Sequence, residues 1–320
     1  MAASEPLRLA VYHTDLERDG PGLLLRDILR GDDPQIDAVI DEIATARADI
    51  LLLLDFDYDA EHRALNALAD RLAALGHDYP HQVSLRPNTG LATGLDIDGD
   101  GRLAEPEDSH GHGLFAGQGG MALLSRFPVD EPAILDFTDL LWRDGPGARP
   151  QDVLPREAAD TLRLFGVGAW RVPVMLPSGT RLDLLALHAS APVFDGPEDR
   201  NGQRNADQMR FVMAELSRDT SHHLAVIGTL NIDPEQGEGR RGVLSDLLNH
   251  PELQDPRPER PGGGTQTVDW PEPRPGDLRV DYILPSANLT VLGSGVQWPE
   301  AEADQDSTPA HRIVFVDILP

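Results

Sequence analysis

Cysteine is absent from all 320 residues. That excludes disulfides, thiolate catalysis and cysteine-ligated zinc, and it leaves the cellular compartment open. Lysine is absent too: the 27 basic residues are all arginine, a bias that fits GC-rich codon usage. No apolar run approaches the ~20 residues of a membrane-spanning helix. The longest, residues 50–54, stands between Asp49 and Asp55 and reads as a buried strand. Residues 1–12 lack the charged and apolar regions of a signal peptide. Positive charge is scarce, with 27 basic against 54 acidic residues and a net charge of −27. So acidic a chain argues against wrapping extended nucleic acid, whose phosphates require basic grooves. It fits solubility in a salty or extracellular setting.

What is present supports one large core. Forty per cent of the chain is hydrophobic, with no internal repeat and no stretch long enough for a domain linker. We read residues 1–320 as a single domain. Strand-like and helix-like segments alternate. Residues 7–12 and 50–55 read as strands. Asp33-Pro34 looks like an N-cap followed by proline at the first helical position, leading into a helix through Ile36, Val39, Ile40 and Ile43. Residues 60–75 form a second amphipathic helix and 201–216 a third. Further strands are expected at 121–125, 172–176, 182–188, 224–227, 280–284 and 312–318. Interleaving of this kind predicts an α/β class fold.

One loop carries its own chemistry. Asp96, Asp98, Asp100 and Glu107 occupy positions 1, 3, 5 and 12 of a calcium-type loop spanning 96–107. Gly101 stands at the sharp turn and Leu103 at the apolar position. Ca²⁺ takes ~6–8 oxygen ligands, and this spacing gathers carboxylates around one point, with the backbone carbonyl of Arg102 as a further ligand. Pro106 interrupts the pattern, and no helices flank the loop in the sequence. Without an ion, the same residues are an acidic surface loop.

Three strand ends carry a stronger signal: Leu184-Leu185-Ala186-Leu187-His188, Ile227-Gly228-Thr229-Leu230-Asn231-Ile232-Asp233-Pro234, and Ser307-Thr308-Pro309-Ala310-His311-Arg312. They resemble the endonuclease/exonuclease/phosphatase superfamily, as do residues 20–28, 117–126, 192–202 and 279–286, which are similar to one bacterial branch. The resemblance implies a four-layer α/β sandwich, two mixed β-sheets packed face to face and flanked by helices. It implies metal-assisted hydrolysis of a small phosphoester substrate, and a periplasmic or secreted location. It also assigns roles. His188 and His311 are the catalytic histidines, Asn231 the retained amide, and Asp281 the partner of His311. His13 stands where the family has Asn and Asp55 where it has Glu, as cleft metal ligands. Thr229 and Ala310 stand where the family has Asp. Imidazoles beside one carboxylate suit Zn²⁺, Mn²⁺ or Fe²⁺ better than Mg²⁺. Two readings follow: a phosphodiesterase or nuclease-like hydrolase with a rebuilt metal site, or an inactive calcium-binding module on the hydrolase scaffold.

Overall fold

The computed structural model describes residues 5–218, 223–271, 275–298 and 308–320; Ser307 of the last motif and residues 1–4 lie outside these. Two mixed sheets form its centre. The first has six strands in the order β10-β11-β1-β2-β4-β3 and the second has five in the order β5-β6-β7-β8-β9. The strands are β1 (Leu7–Leu16), β2 (Ile50–Phe56), β3 (His81–Val83), β4 (Gly120–Ser125), β5 (Leu135–Asp136), β6 (Gly168–Met175), β7 (Arg181–His188), β8 (His223–Thr229), β9 (Asp281–Pro285), β10 (Thr290–Gln297) and β11 (Ile313–Leu319). Within the sheets, β1 pairs parallel with β2, and β7 parallel with β8. The described helices are α1 (Leu23–Arg30), α2 (Pro34–Ala46), α3 (Arg63–Ala74), α4 (Arg156–Thr161), α5 (Arg200–Leu216) and α6 (Arg241–Leu248).

Strand alternation explains the layers. Leu9, Val11, Leu52 and Leu54 of the first sheet pack with Val172, Leu184, Ala186 and Ile227 of the second, forming the core between them. The opposite faces of β1 and β2, through Ala10, Tyr12, Leu51 and Leu53, meet Ile36, Ile40, Leu65 and Leu68 of α2 and α3. Leu185, Leu187 and Val226 meet Met209, Val212, Leu244 and Leu247 of α5 and α6. The result is helix, sheet, sheet, helix. Asp33 caps α2 as expected, accepting from the N–H groups of Gln35 and Ile36 at 3.0 and 3.1 Å. No helix of the described residues is long and apolar enough to cross a membrane.

Register sets out the chemistry. His188 pairs with Thr229 across β7 and β8, and Thr229 pairs with Asp281 across β8 and β9. These three residues therefore stand side by side on adjacent strands. On the other sheet, His13 pairs with Leu54. The β1–β2 register then shifts between His13 and Leu16, and the β2–β4 register between Leu54 and Phe56. Asp15 (φ 50°) and Asp55 (φ 51°) adopt left-handed backbone inside these irregularities. Aspartate tolerates that region better than most residues, and bulges of this kind re-aim side chains beside active sites.

Candidate active site

The ends of β1, β2, β7 and β8 meet where the two sheets open into a cleft of about 820 Å³. Glu17, Asp55, His188 and Asn231 line it. His13, Asp281 and His311 are not in its lining; they are buried behind it, exposed by 8%, 2% and 5%. The His13 Nε2 atom lies 3.6 Å from Asp55 Oδ2, and His188 Nδ1 lies 3.7 Å from Asp55 Oδ1. His13, Asp55 and His188 each offer one ligand atom, all within 4.8 Å of one another. The His13 ring stacks on His311 at 4.0 Å between centroids, and His311 meets Trp270 edge-on at 5.5 Å.

Supporting bonds hold these rings. His13 Nδ1 is 3.1 Å from Asp15 Oδ1, a carboxylate partner that leaves Nε2 free to face Asp55. His311 Nδ1 is 2.8 Å from Asp281 Oδ2. The Thr267 hydroxyl donates to the same oxygen at 3.0 Å. Asn231 has left-handed backbone (φ 55°), and its amide donates to the Ala189 carbonyl at 2.8 Å. Asn205 of α5 donates to the carbonyls of Ser190 and Leu230 at 2.8 and 2.7 Å, tying together the two loops that follow His188 and Thr229. Thr229 is fully buried, and its hydroxyl donates to the Val280 carbonyl at 3.1 Å.

Electrostatics separate the two cleft imidazoles. Burial alone would lower the His13 pKa, but Asp55 and Asp15, with Asp281, outweigh it and raise it to about 10. Burial raises Asp55 to about 7; His13 opposes the rise, while Glu17, Asp15 and Asp57 add to it. His188 is pushed well below its ordinary value, first by burial, then by His13 and His311. It is therefore neutral, and its buried Nδ1 has no hydrogen-bond partner among the described residues. A neutral imidazole whose Nδ1 makes no hydrogen bond among the described residues, a carboxylate, and an imidazole oriented by a second carboxylate make a donor set suited to a divalent transition ion. With its pKa raised, His13 carries a proton near neutral pH.

Two carboxylates escaped the reading of single motif positions. Asp15 and Glu17 follow His13 at two-residue steps. Asp15, Glu17 and Asp55 also offer oxygens within 4.8 Å of one another. Asp15 further accepts the backbone N–H of Ala310. Of the other acidic residues near Asp55, Asp57 accepts the N–H groups of Arg18 and Gly119, each at 3.0 Å. Asp59 accepts those of Arg63 and Ala64 at the start of α3, each at 2.9 Å.

In the loop at 96–107, Asp96, Asp98 and Asp100 converge within 4.8 Å. Glu107 is not in that group; it lies 3.5 Å from His112 Nε2. Asp96 accepts the N–H groups of Gly99 and Gly101 at 2.7 and 2.9 Å. The Arg102 N–H donates to Asp100 at 2.8 Å, and its guanidinium to Glu105 at 3.2 Å. Asp108 is 1% exposed and accepts the Ile97 N–H at 2.7 Å, fastening the loop to the body of the protein.

Two facing mixed sheets, covered by helices and opening on a histidine–carboxylate cleft at their strand ends, define a four-layer α/β sandwich. The chain belongs to the Endonuclease/Exonuclease/phosphatase family, whose model matches residues 26–308. That family assignment makes it a phosphoesterase-type hydrolase by descent. An endonuclease/exonuclease/phosphatase from Beutenbergia cavernae is similar at 19% identity and a TM-score of 0.64, covering 98% of this chain and 71% of that one. Sphingomyelinase C from Streptomyces griseocarneus is similar at 17% identity and a TM-score of 0.53, with 98% and 99% covered. Truncated TDP2 from Caenorhabditis elegans is similar at 13% and 0.52, with 98% of each covered. These likenesses are of fold. No curated protein matches the sequence.

Proposed function

We propose that the protein is a phosphoester hydrolase of small substrates whose cleft ion is Zn²⁺ or Mn²⁺ rather than Mg²⁺, held by His13, Asp55 and His188. The observation that carries this reading is the convergence of those three ligand atoms within 4.8 Å, with His188 Nδ1 buried and unpartnered among the described residues. Bound there, a divalent ion supplies charge that polarises a phosphate oxygen and acidifies water. The chain's own residues do the rest. Asp15 orients His13, and Asp281 fixes His311 in one tautomer. The Asn231 amide and the neutral His188 line the cleft where substrate would sit. The net charge of −27 disfavours a long polyanion as substrate.

The loop at 96–107 supports a structural Ca²⁺ on Asp96, Asp98 and Asp100. The expected outcome is a melting temperature that falls on chelation, since an ion bound only to the native state stabilises it by mass action. D98A and D100A should lose that response; an identical melt with and without chelator would refute it. With a calcium loop and an acidic surface, export to the periplasm or medium fits the chain, and fractionation of the native host tests it.

The catalytic reading is tested by hydrolysis of bis(p-nitrophenyl) phosphate with Zn²⁺, Mn²⁺ and Mg²⁺ supplied separately. Turnover with Zn²⁺ or Mn²⁺ that disappears in His13→Ala supports it. Robust turnover with Mg²⁺ that survives His13→Ala overturns the metal assignment. Thr229, with its hydroxyl already engaged by Val280, favours the alternative of an inactive calcium-binding module. Absence of turnover with all three ions, together with absence of cleft metal, would establish that alternative.

A further inference from the structure

We propose that the cleft holds a second recognition site, made by Arg200 and Arg204 of α5, for an oxyanion on the substrate other than the phosphoester being hydrolysed. The substrate class is then a small ester with two anionic groups, the second a phosphate or a carboxylate. The proposal deepens the reading above and rests on it only for the hydrolysis at the other group. Both arginines line the same cleft as Asp55, His188 and Asn231. They stand four residues apart on α5, a spacing that puts them on one face of the helix. Arg204 is 9% exposed, and its hydrogen bonds go to backbone carbonyls rather than to a carboxylate. Its Nε donates to Leu164 at 3.0 Å, and its Nη2 to His110 and Arg163 at 2.7 and 2.6 Å. Its Nη1 takes no part in these bonds. That atom stands beside Gly166, where a Cβ would lie 3.6 Å from it, and Gly166 also lines the cleft.

The charge balance points to a ligand. Carbonyls solvate a guanidinium but leave its charge uncompensated. Burial and Arg200 both push the Arg204 pKa down, to about 9, and no carboxylate opposes them. Arg204 is still a cation at neutral pH. Arg200 makes no ion pair among the described residues. Elsewhere the chain matches its buried arginines with acids: Arg171 meets Asp183 at 2.7 Å, Arg279 meets Asp255 at 2.5 Å and Arg312 meets Asp269 at 2.9 Å. With 54 acidic residues in the chain, two unmatched cations on one cleft leave a place for an anion from outside. The acids that line the cleft are engaged elsewhere. Glu107 faces His112 at 3.5 Å, Asp55 faces His13 and His188, and Glu17 lies with Asp15 and Asp55. Arg204 is also held ready, by its three carbonyls and by the Trp142 ring, whose centroid is 5.7 Å away, so little freedom is lost on meeting an oxyanion. The planar fork of a guanidinium matches phosphate and carboxylate. Arg200 opens α5, whose N-terminal partial positive charge adds to the attraction.

The test begins on the metal-free full chain, so that it does not depend on turnover. Inorganic phosphate and acetate are titrated separately into protein labelled with ¹⁵N arginine, and the Nε–H signals of Arg200 and Arg204 are followed by NMR. The expected result is a saturable shift of both signals. In Arg200→Ala the Arg204 signal should report binding at least tenfold weaker. Tighter phosphate marks the second group as a phosphate, and tighter acetate as a carboxylate. Arg200 is the residue to vary, because Arg204→Ala would also strip three buried carbonyls of their donor. With Zn²⁺ or Mn²⁺ added, hydrolysis of bis(p-nitrophenyl) phosphate is then compared with that of p-nitrophenyl 3-phosphopropyl phosphate and p-nitrophenyl 3-carboxypropyl phosphate. The preference in kcat/KM for the doubly anionic ester should fall at least tenfold in Arg200→Ala. Absence of any shift with either anion, or binding indifferent to Arg200→Ala, overturns the site. Arg200-dependent binding with an unchanged preference overturns its part in choosing substrate. Arg200-dependent binding in a protein that hydrolyses none of the three esters supports the anion site and refutes the hydrolase reading.

Discussion

Replacing Asp281 by asparagine leaves the side chain's size unchanged and removes its charge. The residue is 2% exposed. Its Oδ2 receives two donors, His311 Nδ1 at 2.8 Å and the Thr267 hydroxyl at 3.0 Å. Its Oδ1 has no partner among the described residues. If the amide oxygen takes the Oδ2 place, both bonds survive without the charge, and a buried NH₂ is left facing no acceptor. If the amide is flipped, the NH₂ faces two donors. A hydrogen bond to a charged group contributes about 1.5–3 kcal/mol against 0.5–1.5 for a neutral one, and an unsatisfied buried donor costs about 1–3. The expected loss is about 2–4 kcal/mol. At ~2.1 cal/mol/K of unfolding entropy per residue, that lowers the melting temperature by about 3–6 °C for a chain of this length. Urea unfolding should show a lower midpoint with an unchanged slope, and ¹⁵N NMR should show the His311 Nδ1–H bond weakened. A loss under about 0.5 kcal/mol, with the His311 tautomer unchanged, would refute the view that this pair is fixed by charge.

Gly228 has a φ of 146°, and a Cβ there would lie 1.9 Å from the Leu187 carbonyl oxygen; G228A should destabilise the fold by roughly 3 kcal/mol or more, and a melt within a degree of the parent would contradict this close strand approach. Burial, then Arg163 and Arg204, lower the His110 pKa from 6.5 to about 4. Between those values the unfolded chain takes up a proton that the folded chain refuses, so this contribution is present at pH 7 and is lost as pH falls through the window. H110Q should flatten the decline of stability between pH 6.5 and 4, and a curve running parallel to the parent's would count against it.

Much of the fold is legible because its strands are near-continuous apolar runs and its helices carry clear signals. Residues 50–55 and 182–188 were expected as strands and are β2 and β7. Asp33-Pro34 announces α2 by capping chemistry. Where such signals are weak, elements are missed. Helix α1 starts after Gly22 in left-handed backbone with no side-chain cap. Strand β10 carries Gly293 and Gly295, which read as breakers. At Gly295 a Cβ would lie 2.7 Å from the Phe315 ring, so the glycine is there for close packing. Strand β1 runs on to Leu16 rather than ending near Tyr12, and this extension hides part of the site. His13, Asp55, His188 and His311 are visible through resemblance at single positions. Asp15 and Glu17 are visible only once the strand is known to run to Leu16 with a left-handed kink at Asp15, which leaves both carboxylates beside Asp55. Glu107 fits the loop by spacing, yet it faces His112, because the tight turn at 106–108 follows its own hydrogen bonds.

The central claim is that imidazole and carboxylate from both sheets hold the cleft ion. It is tested most directly by anomalous diffraction at the zinc edge from crystals grown with one equivalent of Zn²⁺. The account predicts a peak bonded to His13 Nε2, Asp55 and His188 Nδ1, and its loss in His13→Ala. A cleft without zinc, or zinc bound there without His13, would contradict it.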